Sequence, residues 1–205
     1  EDGEIEKLER AHQLLAQFQL GRLYPARLRT LLDALADEYD ARYTERDALL
    51  LAEFLFQGYA LRGVEQDDYY NPLNSNLVYV IEQRRGIPIS LACIYILVGE
   101  RLGLKVEGLN FPGHFLALAR HRRKEVVVDC YNEGAVVDMK SLATLTATEK
   151  TLSREDMRCD TAMIMARVLR NLAFAYEQAG AADNARTLLY LHRLLMPQLS
   201  LSGNR

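Results

Sequence analysis

Four side chains in the middle of the chain have the types and order that nucleophilic catalysis needs: Cys93, His114, Asp129 and Cys130. An aspartate that holds one ring nitrogen of a histidine leaves the other free to act as a base, which is the orienting half of a catalytic triad. Whether His114 and Asp129 meet depends on the charged run Arg120-His121-Arg122-Arg123-Lys124-Glu125, which separates two apolar stretches. Read as a hairpin tip with a two-residue turn at His121-Arg122, it places His114 directly opposite Asp129. A four-residue turn offsets them by one diagonal step on the same face. Both registers allow the pair. Such a pair also serves simply to satisfy two polar groups at the edge of a core, and spacing does not separate the two roles. The stretch Gly108-Leu109-Asn110-Phe111-Pro112-Gly113-His114 puts the histidine just past a Pro-Gly turn, where a side chain can face an opening.

The nucleophile is the weaker part of the constellation. Cys93 lies in the apolar run Leu91-Ala92-Cys93-Ile94-Tyr95, where a thiol is expected to be an inert core residue with a raised pKa. Cys130 directly follows Asp129 on a strand and so points to the opposite face. Ser90, near a helix start, is expected to cap or pack. Together with Asn110, in the loop before the histidine, it is a candidate binding residue. Counting Cys159, the cysteines are three, widely spaced, without a CxxC pair or a histidine at ligand spacing. That argues against a disulfide scaffold and against a zinc site, and favours a reducing cytoplasm. No metal and no cofactor is expected.

Those residues need elements to hold them. With 205 residues, 49% of them hydrophobic, the chain has the material for a core, as one large domain or two small ones. Its 25 Lys+Arg against 28 Asp+Glu give no basic footprint, so no nucleic-acid partner is expected. The Arg120–Lys124 tip invites a phosphate-binding reading, and a solvated turn is the plainer one. The longest apolar stretch, Ile87–Val98, is broken by Pro88 and Ser90 and falls far short of the ~20 residues that span a bilayer, so no membrane partner is expected.

Ile5, Leu8, His12, Leu15 and Phe18 share a stripe, which predicts an amphipathic helix over 4–18. Pro25 opens a second helix, carried by Leu28, Leu31, Leu32, Leu35 and Tyr39 to about Ala41. Thr44, with Asp47 three residues later, is expected to cap a third that continues to Gly58 or Gly63. The acidic and aromatic run up to Pro72 loses all periodicity and predicts a surface loop. Asn74 or Ser75 then caps a short helix that Gly86 stops. From Pro88 to Leu102 the chain is apolar on nearly every face, which predicts the most buried helix of the molecule. Three short strands follow, at Leu104–Leu109, His114–Ala119 and Val126–Val128. From about Ser153 the pattern is helical again: one helix to Ala179, Gly180, and a second from Ala182 to Leu195, closed by Pro197.

Two resemblances sharpen these expectations. Leu169, Leu172, Ala173, Tyr176, Gly180, Ala185, Leu189 and Pro197 resemble one tetratricopeptide unit, with His192 departing from the small residue usual there. One unit cannot bury its own face, so it must pack on the rest of the chain. Further upstream, Asn74-Ser75-Asn76, Arg85-Gly86-Ile87-Pro88-Ile89-Ser90-Leu91-Ala92, Arg101-Leu102-Gly103-Leu104-Lys105-Val106-Glu107-Gly108 and Phe111-Pro112-Gly113-His114-Phe115-Leu116 resemble the bacterial SirB-type family. That resemblance runs over about residues 40 to 200 and implies a transglutaminase-like core joined to tetratricopeptide-type helices. In the wider transglutaminase-like superfamily a cysteine opens a buried helix, and a histidine and an aspartate follow on neighbouring strands. By that resemblance His114 and Asp129 take the last two positions, and the nucleophile position falls on Pro88. Cys93 lies ~7.5 Å deeper and ~140° around the helix from Pro88 on ideal geometry, so it should not reach the same place.

The expected architecture is α+β and mainly helical. N-terminal helices (1–70) pack on a transglutaminase-like core with a small antiparallel sheet (71–150), and a tetratricopeptide-like helical hairpin follows (151–205). The expected function is a non-catalytic, regulatory scaffold that meets a protein partner through its helical tail. The alternative is a thiol-dependent amide hydrolase or transferase with Cys93 or Cys130 as nucleophile, His114 as base and Asp129 as its orienting group. A regulator recruited by nucleic acid through the basic tip ranks last.

Overall fold

The computed structural model of the chain describes residues 2–21, 25–138 and 154–202. Residues 139–153, and with them the expected end of the core at residue 150, lie outside the described residues. The chain begins with α1 (Asp2–Leu20) and α2 (Pro25–Arg42), whose apolar stripes turn inward: Leu8, His12, Leu15, Leu28, Leu32, Leu35 and Tyr39 are all buried. α3 (Ala48–Glu53) is capped by Asp47, whose side chain accepts from the backbone of Leu49 at 2.8 Å and Leu50 at 3.3 Å. Thr44 therefore does not start this helix. Its expected partner three residues on is itself the cap, since Asp47 is extended while Ala48 already turns.

A five-residue π-helix, Phe54–Gly58, ends that segment. Next come β1 (Arg62–Gly63), α4 (Leu77–Gln83) and β2 (Arg85–Gly86), with β1 and β2 paired in parallel. The cap of α4 is Asn76, not Asn74 or Ser75, because the two earlier residues belong to a short 3-10 turn, Pro72–Ser75. Arg84, left-handed at φ 56°, ends α4.

At the centre lies α5 (Pro88–Arg101), buried at every residue from Pro88 to Gly99. A helix apolar all round has no face for water, so every neighbour must cover it, and each fully buried Leu, Ile or Val contributes about 1.5–3 kcal/mol. Around it pack α1, α2, α3 and α4 on one side and the sheet on the other. The sheet is antiparallel and five-stranded, in the order β6–β5–β4–β3–β7, from β3 (Val106–Leu109), β4 (Leu116–His121), β5 (Lys124–Asp129), β6 (Ala135–Val137) and β7 (Arg158–Cys159). Alternation gives it two faces. Ala117, Ala119 and Val128 join the main core, while Leu116, Leu118 and Val127 form a smaller cluster with Met157 of α6 (Arg154–Met157).

The C-terminal hairpin is α7 (Thr161–Gln178) and α8 (Ala182–Ser202), joined at Gly180 with φ 75°. α8 does not stop before Pro197 but runs through it. Having no backbone N–H, a proline there costs the helix one backbone hydrogen bond only about a turn and a half from its end. One continuous core takes residues from α1, α5, the sheet and α7–α8, and side chains tie the parts together. Arg101 of α5 donates to Glu9 of α1 at 2.7 Å and to Asp33 of α2 at 2.6 Å, and Thr161 of α7 donates to the Glu4 carbonyl at 2.7 Å. Among the described residues no helix is long and apolar enough to cross a membrane.

Candidate functional site

The loop that presents His114 is a tight turn. His114 N–H donates to the Phe111 carbonyl at 3.1 Å, with Pro112 and Gly113 as its central residues and Gly113 at φ 76°. A proline followed by a residue with positive φ is what a type II turn requires, and glycine takes that φ without a Cβ clash. The strand that brings Asp129 is set by the hairpin register, with Ala117 opposite Val128 and His121 opposite Lys124. Arg122-Arg123 is thus the tip, and Arg122 takes φ 54°. Extending the ladder puts Asp129 level with Leu116 and His114 two residues earlier. This is the pairing of the diagonal alternative, not the one with His114 directly opposite.

The imidazole Nε2 lies 2.9 Å from Asp129 Oδ1. Asp129 is also the acceptor of a local turn. Its Oδ1 takes the backbone N–H groups of Tyr131 at 3.1 Å and Asn132 at 3.2 Å, and its Oδ2 takes the Asn132 side-chain amide at 2.6 Å. Burial pushes this carboxyl up, but the hydrogen bonds from His114 and Asn132 outweigh that and hold it below the usual carboxylate range. An ionised Asp129 is an acceptor for Nε2–H, so that Nδ1 is the ring nitrogen not engaged by this carboxylate. Tyr131 sets the ring from the side: the two ring centroids are 6.1 Å apart, edge to face. The Tyr131 hydroxyl donates to the Val64 carbonyl at 2.6 Å, and its ring fills the space over Gly63, where a Cβ would sit 2.6 Å from it.

Neither sulfur of the core joins this pair. Cys93 and Cys130 are fully buried, and the hydrogen bonds of the described residues include none from either thiol to His114. Burial drives both thiols far above the range of an ordinary cysteine. Cys130 belongs to the core on the α5 side of the sheet. Cys159, on β7, is pushed up to about 12, again by burial, and its sulfur donates to the Met157 carbonyl at 3.5 Å. Pro88 is the first residue of α5 and is buried. Ser90 Oγ donates to the Asn74 carbonyl at 2.6 Å and is 1% exposed, so it is spent on packing α5 against the Asn74-Ser75-Asn76 turn. Asn110 is exposed; its Oδ1 accepts from Arg167 of α7, which also donates to the Phe111 carbonyl at 3.1 Å. Among the described residues no cluster of His, Cys, Asp or Glu could hold a metal ion.

A cleft of about 360 Å³ opens at this end of α5. Ile87, next to Pro88, and Gly113, next to His114, both line it, as do Tyr69, Arg167 and Arg170. The helix start and the histidine loop thus share one opening. Tyr131, Asn132 and Arg167 complete the site and were not legible as candidates. The Asp-x-x-Asn spacing of Asp129 and Asn132, a turn signature, was the one available signal.

The family described as the transglutaminase-like superfamily matches residues 24–171 of the chain. A UPF0162 protein of Xylella fastidiosa (strain 9a5c) is 35% identical over 140 residues, which is 64% of this chain and 50% of that protein. A UPF0162 protein of Vibrio cholerae is 32% identical over 85 residues, 40% of this chain and 29% of its own length. F-box only protein 21 of Mus musculus is 49% identical over 49 residues, 24% of this chain and 8% of its own. The chain spans about half the length of the first of these relatives. No solved structure matches.

Proposed function

The chain belongs to the transglutaminase-like superfamily, and from that premise we propose that it works by binding and not by turnover, as a regulatory, non-catalytic scaffold of the SirB-type branch in a reducing cytoplasm. The observation that carries this reading is a His–Asp pair with no thiol partner among the described residues. His114 and Asp129 are 2.9 Å apart and oriented, yet Cys93 and Cys130 are sealed in the core with thiols pushed strongly toward the protonated form. A thiol nucleophile must lie within hydrogen-bond reach of its base and must ionise, and neither condition is met. The position that the family resemblance gives to the nucleophile is Pro88, which has no group to attack with. The pair then acts as structure, holding the Pro-Gly turn against the end of β5.

The surface offered to a protein partner is the helical tail. Tyr190, Leu191 and Leu194 of α8 are 62%, 41% and 53% exposed, a run of large apolar side chains on one helix. The test is an activity screen of the whole chain for amide hydrolysis (ammonia release from glutaminyl peptides) and for amide exchange onto a fluorescent primary amine, beside His114→Ala. No turnover in either protein, with only stability altered in the variant, is expected. A robust activity that His114→Ala abolishes refutes the scaffold reading and turns attention to a thiol mechanism.

A further inference from the structure

Arg167 is a half-buried cation with no carboxylate partner among the described residues. It rises from α7 into the cleft at the start of α5, where its Nη1 is engaged by Asn110 and the Phe111 carbonyl, and its guanidinium lies 5.5 Å from the centre of the Phe115 ring. Its Nε is sealed from solvent without an acceptor among the described residues. Arg170 follows one turn later on α7 and lines the same cleft, as does Tyr69. Among the described residues that line the opening none is an Asp or Glu. Burial and the neighbouring Arg170 charge both act against protonation of Arg167 and outweigh the opposing influence of Cys159 and Tyr69.

Two guanidinium groups facing one partly apolar cavity repel each other, and a half-buried arginine without an anion is costly to hold. Such an arrangement is stabilised by an oxyanion that accepts from both, with arginine's planar fork suited to a carboxylate. The mouth carries an exposed aromatic pair beside the cations. Tyr70 and Phe174 are 46% and 45% exposed, with ring centroids 5.2 Å apart, edge to face. Exposed aromatic rings next to an unpaired arginine are the groups that bind tightly when a partner covers them.

We propose that this cleft binds a carboxylate of a protein partner, as a chain terminus or an acidic side chain, next to an apolar residue that stacks on Tyr70 and Phe174. Arg167 and Arg170 take the carboxylate. Asn110 and the Phe111 carbonyl hold Arg167 in place and couple it to the His114 turn. The proposal rests on the reading that the chain works through a protein partner, and it names the chemistry by which that partner is recognised.

The experiment uses the whole chain and two small probes: N-acetyl-phenylalanine, which carries a terminal carboxylate, and N-acetyl-Glu-Phe-amide, which carries only a side-chain one. Backbone amide shifts are followed by NMR as each is titrated, beside uncharged N-acetyl-phenylalanine amide and inorganic phosphate. At least one carboxylate probe is expected to shift Tyr69 to Asn71, Gly113 and Asn171 saturably, and the tighter of the two identifies the source. Affinity is expected to fall at least about tenfold for the uncharged amide and for Arg170→Gln, the size of a lost charged hydrogen bond. Arg170 is exposed, so its variant leaves the core untouched where an Arg167 variant alters the packing of the histidine loop. Absence of local shifts from both carboxylates, equal binding of the amide, tighter binding of phosphate, or indifference to Arg170→Gln each overturns the proposal. Failure here leaves the activity screen unaffected, and activity found there does not create carboxylate binding, so the two readings fail separately.

Discussion

His12 supplies a pH dependence of stability that can be calculated. It sits on the inward stripe of α1, 1% exposed, and neither ring nitrogen has a hydrogen-bond partner among the described residues. Desolvation lowers its pKa from 6.5 to about 4. A histidine that is harder to protonate when folded favours the unfolded chain as pH falls, because the unfolded state then binds more protons. Stability is therefore complete above the unfolded value of 6.5 and is lost as pH drops from there toward the folded value of about 4. One pKa unit is worth about 1.4 kcal/mol, so the contribution is a loss of about 2 kcal/mol by pH 5 and about 3 kcal/mol by pH 4. The perturbation is His12→Leu, which keeps the stripe apolar at similar volume and removes the titrating group. Urea unfolding of both proteins between pH 7.5 and pH 4 should show the parent losing stability faster than the variant by those amounts. Since other groups titrate in both proteins, the difference between the two curves isolates His12. Parallel curves would refute the reasoning, and would mean that α1 opens to water independently of the core instead of unfolding with it.

Three replacements test the site's framework. Asp129→Ala strips the acceptor from His114 Nε2, two backbone amides and the Asn132 side chain, and should cost about 3 kcal/mol in denaturant unfolding. Asp129→Asn, which retains an acceptor and lets Asn132 turn its amide around, should cost about 1 kcal/mol. Since the folded carboxyl lies below its ordinary 3.8, its contribution is intact above that pH and is lost only as pH falls through the folded value. Gly63→Ala drives a Cβ to within 2.6 Å of the Tyr131 ring, and should destabilise by about 1–3 kcal/mol while changing the environment of Tyr131, read by tyrosine fluorescence.

Much of the framework is visible in the residues alone. α5 announces itself because an apolar run of that length can only be a central helix, and the turn before His114 because Pro112-Gly113 permits little else. The His–Asp pair follows from counting across a hairpin. Its register does not, because the tip is a run of charges and Arg122 takes the positive φ usually left to glycine or asparagine. Thr44 and Asp47 show the same limit: both are good caps, and only the backbone decides which one is extended where the helix begins. Arg167 was invisible for a different reason. It lies 38 positions beyond Asp129, and its place beside the histidine turn depends on how α7 docks, which no local pattern encodes.

Whether the His–Asp pair has a nucleophile is most directly measured by the alkylation rate of each thiol against pH, resolved by mass spectrometry, in the native chain and in His114→Ala. The expected result is slow reaction at Cys93, Cys130 and Cys159 at neutral pH, in keeping with burial and raised pKa values, and no change at any of them when His114 is removed. A thiol that reacts rapidly well below the ~8.5 of an ordinary cysteine, and slows in His114→Ala, would contradict the scaffold reading and identify the missing member of a working triad.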